Sequence, residues 1–162
     1  MTSLSLPIHL PPPNLDGKGL RIGIVVARYN WTVTGAMLAL AYDELLRLNV
    51  DPQQIQVHSV PGSFELATLA RGMLVSARYD ALLCLGCVMK GATRHDVVVS
   101  DAAAQGIQRV ALDSGTPIIF GVICAENQQQ AEERIERATE CARAAVEMAR
   151  SLQCLHANAQ AS

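Results

Sequence analysis

Tyr79-Asp80-Ala81-Leu82-Leu83-Cys84-Leu85-Gly86-Cys87-Val88-Met89-Lys90-Gly91-Ala92-Thr93-Arg94-His95 decides how the chain is built. Two polar residues lead into an apolar run, which stops at a glycine, two small residues and then a histidine. An apolar run of this length between polar ends reads as a strand buried on both faces, Ala81 to Val88, the kind found in parallel sheets. In open parallel sheets the ligand crevice lies beyond the carboxyl ends of the strands. A turn of Gly91, Ala92 and Thr93 at that edge brings backbone N–H groups and one hydroxyl close to an anion, because no bulky side chain intervenes. His95 follows as a proton carrier for neutral pH.

The pattern repeats on both sides of this run. Leu20 to Ala27 is a second apolar strand, and Ile55 to Val60 is a shorter, alternating one. Pro117 to Ile123 makes a fourth. Between them lie segments with apolar residues at helical spacing: Thr34 to Leu48, ending near Asn49, Phe64 to Ser76, and a helix within Val97 to Ser114. Gln128 to Leu152 contains neither Gly nor Pro and reads as one long helical region with room for a bend or break. Strand and helix alternate four times. This predicts a three-layer α/β/α sandwich around a central four-stranded parallel sheet, flavodoxin-like in its arrangement.

The organisation is that of one domain of 162 residues, with an arm over residues 1–17, a domain over 18–153 and a tail over 154–162. The arm holds Pro7, Pro11, Pro12 and Pro13 and has no basic start followed by a long apolar stretch. It reads as a flexible or extended arm rather than a signal peptide. Half of the residues are apolar, 17% are charged, and mean hydropathy is +0.20. Such values suit a buried sheet, or a subunit that hides surface in an oligomer, and oppose disorder. A net charge of −2 without a basic stripe gives no footprint for nucleic acid. No apolar segment reaches the roughly 18 to 20 residues of a membrane span. The five cysteines are an odd number without framework spacing, which predicts reduced thiols and a cytoplasmic setting. Cys84 and Cys87 match a C-x-x-C spacing, but within a strand their side chains point to opposite faces and read as buried thiols.

Each strand exit carries unusual residues. Arg28-Tyr29-Asn30-Trp31 follows the first strand and puts two of the few aromatics at the sheet edge. Val60-Pro61-Gly62-Ser63-Phe64-Glu65 follows the second, where a serine or a backbone N–H at a helix start can hold an acceptor-rich ligand. Ser63 also suits a plain helix cap. The third exit is the Gly91 to His95 turn. Cys124-Ala125-Glu126-Asn127 follows the fourth and caps the last helical region, with Arg134 one to two turns inside it. Aromatic faces, helix starts and a histidine on one rim suit a flat, hydrogen-bonding heterocycle together with a phosphate. Trp31 reads as packing at a helix start, and His9, His58 and His156 as ordinary surface or tail residues.

Four of these segments resemble the motifs of the 6,7-dimethyl-8-ribityllumazine synthase family: Arg28-Tyr29-Asn30, Val60 to Leu66, Leu85 to His95, and Glu126-Asn127 through Gln130-Ala131-Glu132-Glu133-Arg134. They stand in family order and near-family spacing over roughly Leu20 to Arg150. The resemblance implies condensation of 5-amino-6-(D-ribitylamino)uracil with 3,4-dihydroxy-2-butanone 4-phosphate, losing phosphate and water, the penultimate step of riboflavin synthesis. It implies that Tyr29 stacks on the pyrimidine, where the family usually has phenylalanine. Ser63, Phe64 and Glu65 would hold the ribityl chain and ring edge, and Cys87, Val88 and Met89 the uracil through backbone groups. Ala92, Thr93 and Arg134 would bind the butanone phosphate, and His95 would move protons. Phe120 and Arg134 would come from a neighbouring subunit of an oligomer built from pentamers. The resemblance implies no metal and no redox cofactor.

The chain departs from the family at several places. His95 is followed by Asp96-Val97-Val98 instead of an aromatic, an acidic residue and another aromatic. Ala67 replaces a proline and Cys124-Ala125 a pair of threonines, and Ile135 to Thr139, a shortened connection, replaces a Gly- and Lys-rich turn, with Arg137 at best a substitute for its lysine. An idle carrier of lumazine or flavin would need neither His95 nor the phosphate turn. An unrelated phosphate binder of the same layering would need a phosphate loop after the first strand, and Arg28-Tyr29-Asn30-Trp31 is a poor one. A purely structural shell protein would need no polar rim.

Overall fold

The computed structural model describes residues 7–161. Four strands, β1 (Ile22–Ala27), β2 (Ile55–Val60), β3 (Ala81–Met89) and β4 (Ile118–Ala125), form one sheet in the order β2-β1-β3-β4. All three pairings are parallel, with Ile22 opposite Ile55 on one side and Ala81 on the other. Helices α1 (Trp31–Arg47), α2 (Leu66–Ser76), α3 (His95–Ser114), α4 (Gln128–Glu133) and α5 (Arg137–Ala161) complete the chain. The expected three-layer sandwich is present.

Alternation along the central strands makes two separate cores. Ile22, Ile24 and Val26 of β1 and Ala81, Leu83, Leu85 and Cys87 of β3 pack toward α1 and α5. Val25 and Ala27, with Leu82, Cys84 and Val88, pack toward α2 and α3. Cys84 and Cys87 thus serve opposite cores, and both are free thiols. Helix α1 supplies Val33, Met37, Ala41 and Leu45 at four-residue spacing, one buried stripe. Helix α5 answers with Ala138, Cys141, Ala142, Ala145, Val146 and Ala149, small residues that let it lie close to α1 and the sheet. The two helices are also joined electrostatically. Buried Glu44 of α1 accepts from Arg47 and, at 3.0 Å, from Arg143 of α5. The Arg47 hydrogen bond, with Arg143, holds its carboxyl below the ordinary range against the opposing effect of burial.

Several boundaries differ from the sequence reading. Helix α1 starts at Trp31 rather than Thr34, and α3 starts at His95 itself. Strand β2 does not alternate: only its end residues are buried, because it is an edge strand whose middle neither helix layer covers. The long helical region breaks after Glu133, where Arg134 ends α4 and turns its guanidinium onto the Cys124 carbonyl at 2.8 Å. The stretch 154–161, expected as a tail, continues α5. Of the expected arm, residues 1–6 lie outside the described residues, as does Ser162 of the tail. Residues 7–17 form no helix or strand, and their end is held where Arg150 donates to the carbonyls of Asp16 and Lys18. No helix among the described residues is long and apolar enough to cross a membrane.

Candidate active site

The strand order reverses between β1 and β3, and the crevice opens there, beyond the carboxyl ends. Three strand exits are stitched together to make its floor. Arg28 and Tyr29 donate their backbone N–H groups to Val60 and Pro61, at 2.8 and 2.9 Å, tying the end of β1 to the end of β2. On the other side Asn30 donates its side-chain amide to the carbonyl of Cys87 at 2.9 Å. Asn30 reaches it from a left-handed backbone, φ 65°. Asparagine is among the residues that tolerate this conformation best, the one sequence signal that could have marked it as part of the site. With its side chain committed to β3, it starts α1 with only its carbonyl, which accepts from Val33 and Thr34.

A cavity of about 580 Å³ stands on this floor, within the range of small-molecule sites. Tyr29, Ser63, Phe64, Glu65, Cys87, Val88, Met89 and His95 line it, joined by Asn30, Gly62, Asp96, Val98 and Val99. Two glycines shape its walls. A Cβ on Gly62 would lie 2.7 Å from the Tyr29 ring, so only glycine lets the ring lie against that turn. A Cβ on Gly86 would lie 2.3 Å from Ser63 Oγ, so β3 leaves a notch for that hydroxyl. Ser63 is buried and its Oγ has no hydrogen-bond partner. It does not cap a helix; Gly62 precedes the single 3-10 turn Ser63–Glu65, and the serine is its first residue. A buried hydroxyl left unpaired beside a cavity is a group held ready for a ligand.

The remaining groups divide by chemistry. Tyr29 and Phe64 keep large exposed ring faces, and Cys87 to Met89 bring a strand backbone alongside. The Cys87 thiol itself is pushed up to about 11, chiefly by burial and then by Cys124 nearby, so it stays protonated and inert at neutral pH. His95 is exposed at the first position of α3, and its backbone N–H donates to Thr93 Oγ1 at 3.4 Å. Gly91, Ala92 and Thr93 form an exposed turn outside the lining, with open space around Gly91. Phe120 lies part-exposed on edge strand β4, and Arg134 is engaged with its own Cys124 carbonyl. Within one chain, therefore, Tyr29, Ser63 to Glu65, Cys87 to Met89 and His95 come together, whereas Ala92, Thr93, Phe120 and Arg134 stand apart. Trp31, as expected, packs on its own helix, with ring atoms about 3 Å from where a Gly35 Cβ would stand.

The sequence profile of the family described as 6,7-dimethyl-8-ribityllumazine synthase matches residues 19–153. A relative from Azoarcus sp. (strain BH72), named 6,7-dimethyl-8-ribityllumazine synthase, is 43% identical over 143 residues, which cover 88% of this chain and 92% of that protein. The chain belongs to the 6,7-dimethyl-8-ribityllumazine synthase family. Membership makes it an enzyme of riboflavin biosynthesis that performs the lumazine-forming condensation. A cavity bordered by the exposed rings of Tyr29 and Phe64 at a switch point of a parallel sheet suits a lumazine synthase, whose substrate is an aminopyrimidine.

Proposed function

We propose that the condensation of 5-amino-6-(D-ribitylamino)uracil with 3,4-dihydroxy-2-butanone 4-phosphate runs in the cavity beyond β1, β2 and β3, and that a neighbouring copy of the chain completes it. The observation that carries this reading is the gathering of Tyr29, Ser63, Cys87 and His95 around one cavity at the switch point. The pyrimidine stacks on Tyr29, and its amide edge meets the backbone of Cys87, Val88 and Met89. Ser63, Phe64 and Glu65 take the ribityl chain and ring edge. The phosphate of the ketone sits at the open turn of Ala92 and Thr93, beside the start of α3, whose aligned peptide dipoles favour negative charge.

His95 lies between these two regions and carries protons. The amine attacking the ketone loses a proton and the carbinolamine oxygen gains one to leave as water; loss of one carbon-bound proton then expels phosphate, the terminal carbon is protonated to a methyl, and the ribitylamino nitrogen closes the ring with loss of a second water, the imidazole serving as proton carrier. Arg134 and Phe120 lie outside their own chain's cavity, which supports their acting in the cavity of an adjacent subunit. Arg134 there offsets charge on the departing phosphate. The working form is a cytoplasmic homo-oligomer built from pentamers, acting on small molecules without nucleic acid, metal or redox cofactor.

The test is formation of the lumazine from the two purified substrates, followed by absorbance and fluorescence. His95→Ala is expected to slow turnover by about 100-fold or more with assembly intact, and Arg134→Ala chiefly to raise KM for the phosphorylated ketone. Unchanged turnover in His95→Ala would remove the imidazole from the reaction.

A further inference from the structure

Asp96 follows His95 in the first turn of α3 and lines the cavity. On α3, His95, Val98 and Val99 share one face, since residues three and four apart stack along a helix. Asp96 lies one turn above Val99 on the flank of that face and lines the cavity with it. It is half-buried. Its backbone carbonyl accepts from Ser100 Oγ at 2.8 Å, which fixes the first turn of α3. Among the described residues no donor reaches its carboxylate.

Glu65 lines the same cavity from the 3-10 turn on which α3 packs. No lysine or arginine is among the lining residues. Two part-exposed carboxylates in one half-enclosed space, both acceptors only, accept from water or from a ligand that brings donors in its place. An anion is repelled by the pair, and a plain apolar group leaves both unpaired. A chain of hydroxyl groups brings several donors and no charge. The first turn of a helix already favours an acid electrostatically, but that preference does not require the carboxylate to face the cavity. A purely structural Asp96 would therefore show no dependence on the ligand's hydroxyl groups.

We propose that the Asp96 carboxylate, together with Glu65, is a specificity-determining acceptor for the hydroxyl groups of the substrate's polyol side chain. The inference rests on the pyrimidine occupying this cavity, as argued above, and adds a residue to which no role had been given.

The experiment compares two pyrimidine substrates, one carrying the ribityl chain and one carrying an alkyl chain of the same length. KM and kcat for each are measured with the intact oligomer of native, Asp96→Asn and Asp96→Ala protein. Native protein is expected to favour the ribityl substrate. Asp96→Ala should raise its KM about tenfold, the effect of losing a hydrogen bond to a charged acceptor at a partly solvated site, with kcat within about twofold. KM for the alkyl substrate should not rise, so the preference collapses. Asp96→Asn keeps an acceptor of the same size and should fall between the two; it also preserves the test if the alanine variant folds poorly. The same preference in all three proteins would overturn the role of Asp96 alone. Native protein that forms no lumazine from either substrate would overturn the reading of the site itself, and Asp96 with it.

Discussion

Asn30 Nδ2 lies 2.9 Å from the carbonyl oxygen of Cys87, a single hydrogen bond that bridges the exits of β1 and β3 across the point where the strand order reverses. The Cys87 carbonyl belongs to the strand backbone that borders the cavity, where β3 has left the ladder with β1 at Leu85 while its ladder with β4 continues to Met89. The left-handed backbone of Asn30 is part of the same device, because it swings the side chain away from α1 and toward β3.

Replacing Asn30 separates these two contributions. Asn30→Gly loses the hydrogen bond but suits the positive φ, and is expected to lose about 1 kcal/mol of stability. Asn30→Ala loses the bond and also strains the backbone, and should lose about 2 kcal/mol. Urea midpoints check the order. In both, KM for the pyrimidine should rise, because the Cys87 carbonyl is no longer anchored. Native-like stability in the glycine variant would show that the bridge contributes nothing.

Ser63→Ala should move stability and binding in opposite directions. Its hydroxyl is buried without a partner in the unliganded chain, a cost of about 1 kcal/mol that alanine removes. Thermal melting of the free protein is therefore expected to rise. Pyrimidine affinity, read by fluorescence titration, should fall about tenfold as one ligand hydrogen bond disappears. A destabilised Ser63→Ala protein would mean the hydroxyl is already satisfied without ligand.

The buried thiols set an alkaline limit. Burial pushes Cys84 from the ordinary 9.0 up to about 12 and Cys87 up to about 11. Their folded values lie above the unfolded ones, so the folded state holds protons that the unfolded state has already released. Their contribution to stability is complete below about pH 9 and declines as pH rises through 11 to 12. Denaturation midpoints measured from pH 8 to 11 should fall, and the slope should flatten in Cys84→Ala. At pH 8 a thiol reagent should reach exposed Cys154 in the native protein but not Cys84 or Cys87 until it unfolds.

The layering and much of the cavity were legible because both depend on short-range pattern. Ile22 to Ala27 and Ala81 to Met89 are apolar without interruption since they are central strands covered twice. Candidate residues at three strand exits then had to converge, since a parallel sheet brings all its carboxyl ends to one side. Features set by distant contacts were not legible. The break between α4 and α5 has no Gly or Pro to announce it; it occurs where Arg134 finds the Cys124 carbonyl of β4. The flat exposure of β2 follows from its place at the edge, which its own residues do not declare. Asn30 stood in a quoted motif, yet its bridging role depends on Cys87, far along the chain. Asp96 was visible only as a departure; that it lines the cavity required the start of α3 at His95 to be known.

The strand order has a consequence for how a subunit comes into being. Strand β1 meets β2 early in the chain, but its other neighbour begins only at Ala81, so the reversal that opens the crevice does not exist until β3 has docked. Such a long-range parallel pairing is slow, because loop closure must precede any gain from contact. A nascent chain that has emerged only through α2 holds a Tyr29 and a Ser63 but no pocket between them. Pyrimidine binding thus requires that β3 has docked, and substrate would preferentially stabilise chains that have closed the crevice over shorter fragments.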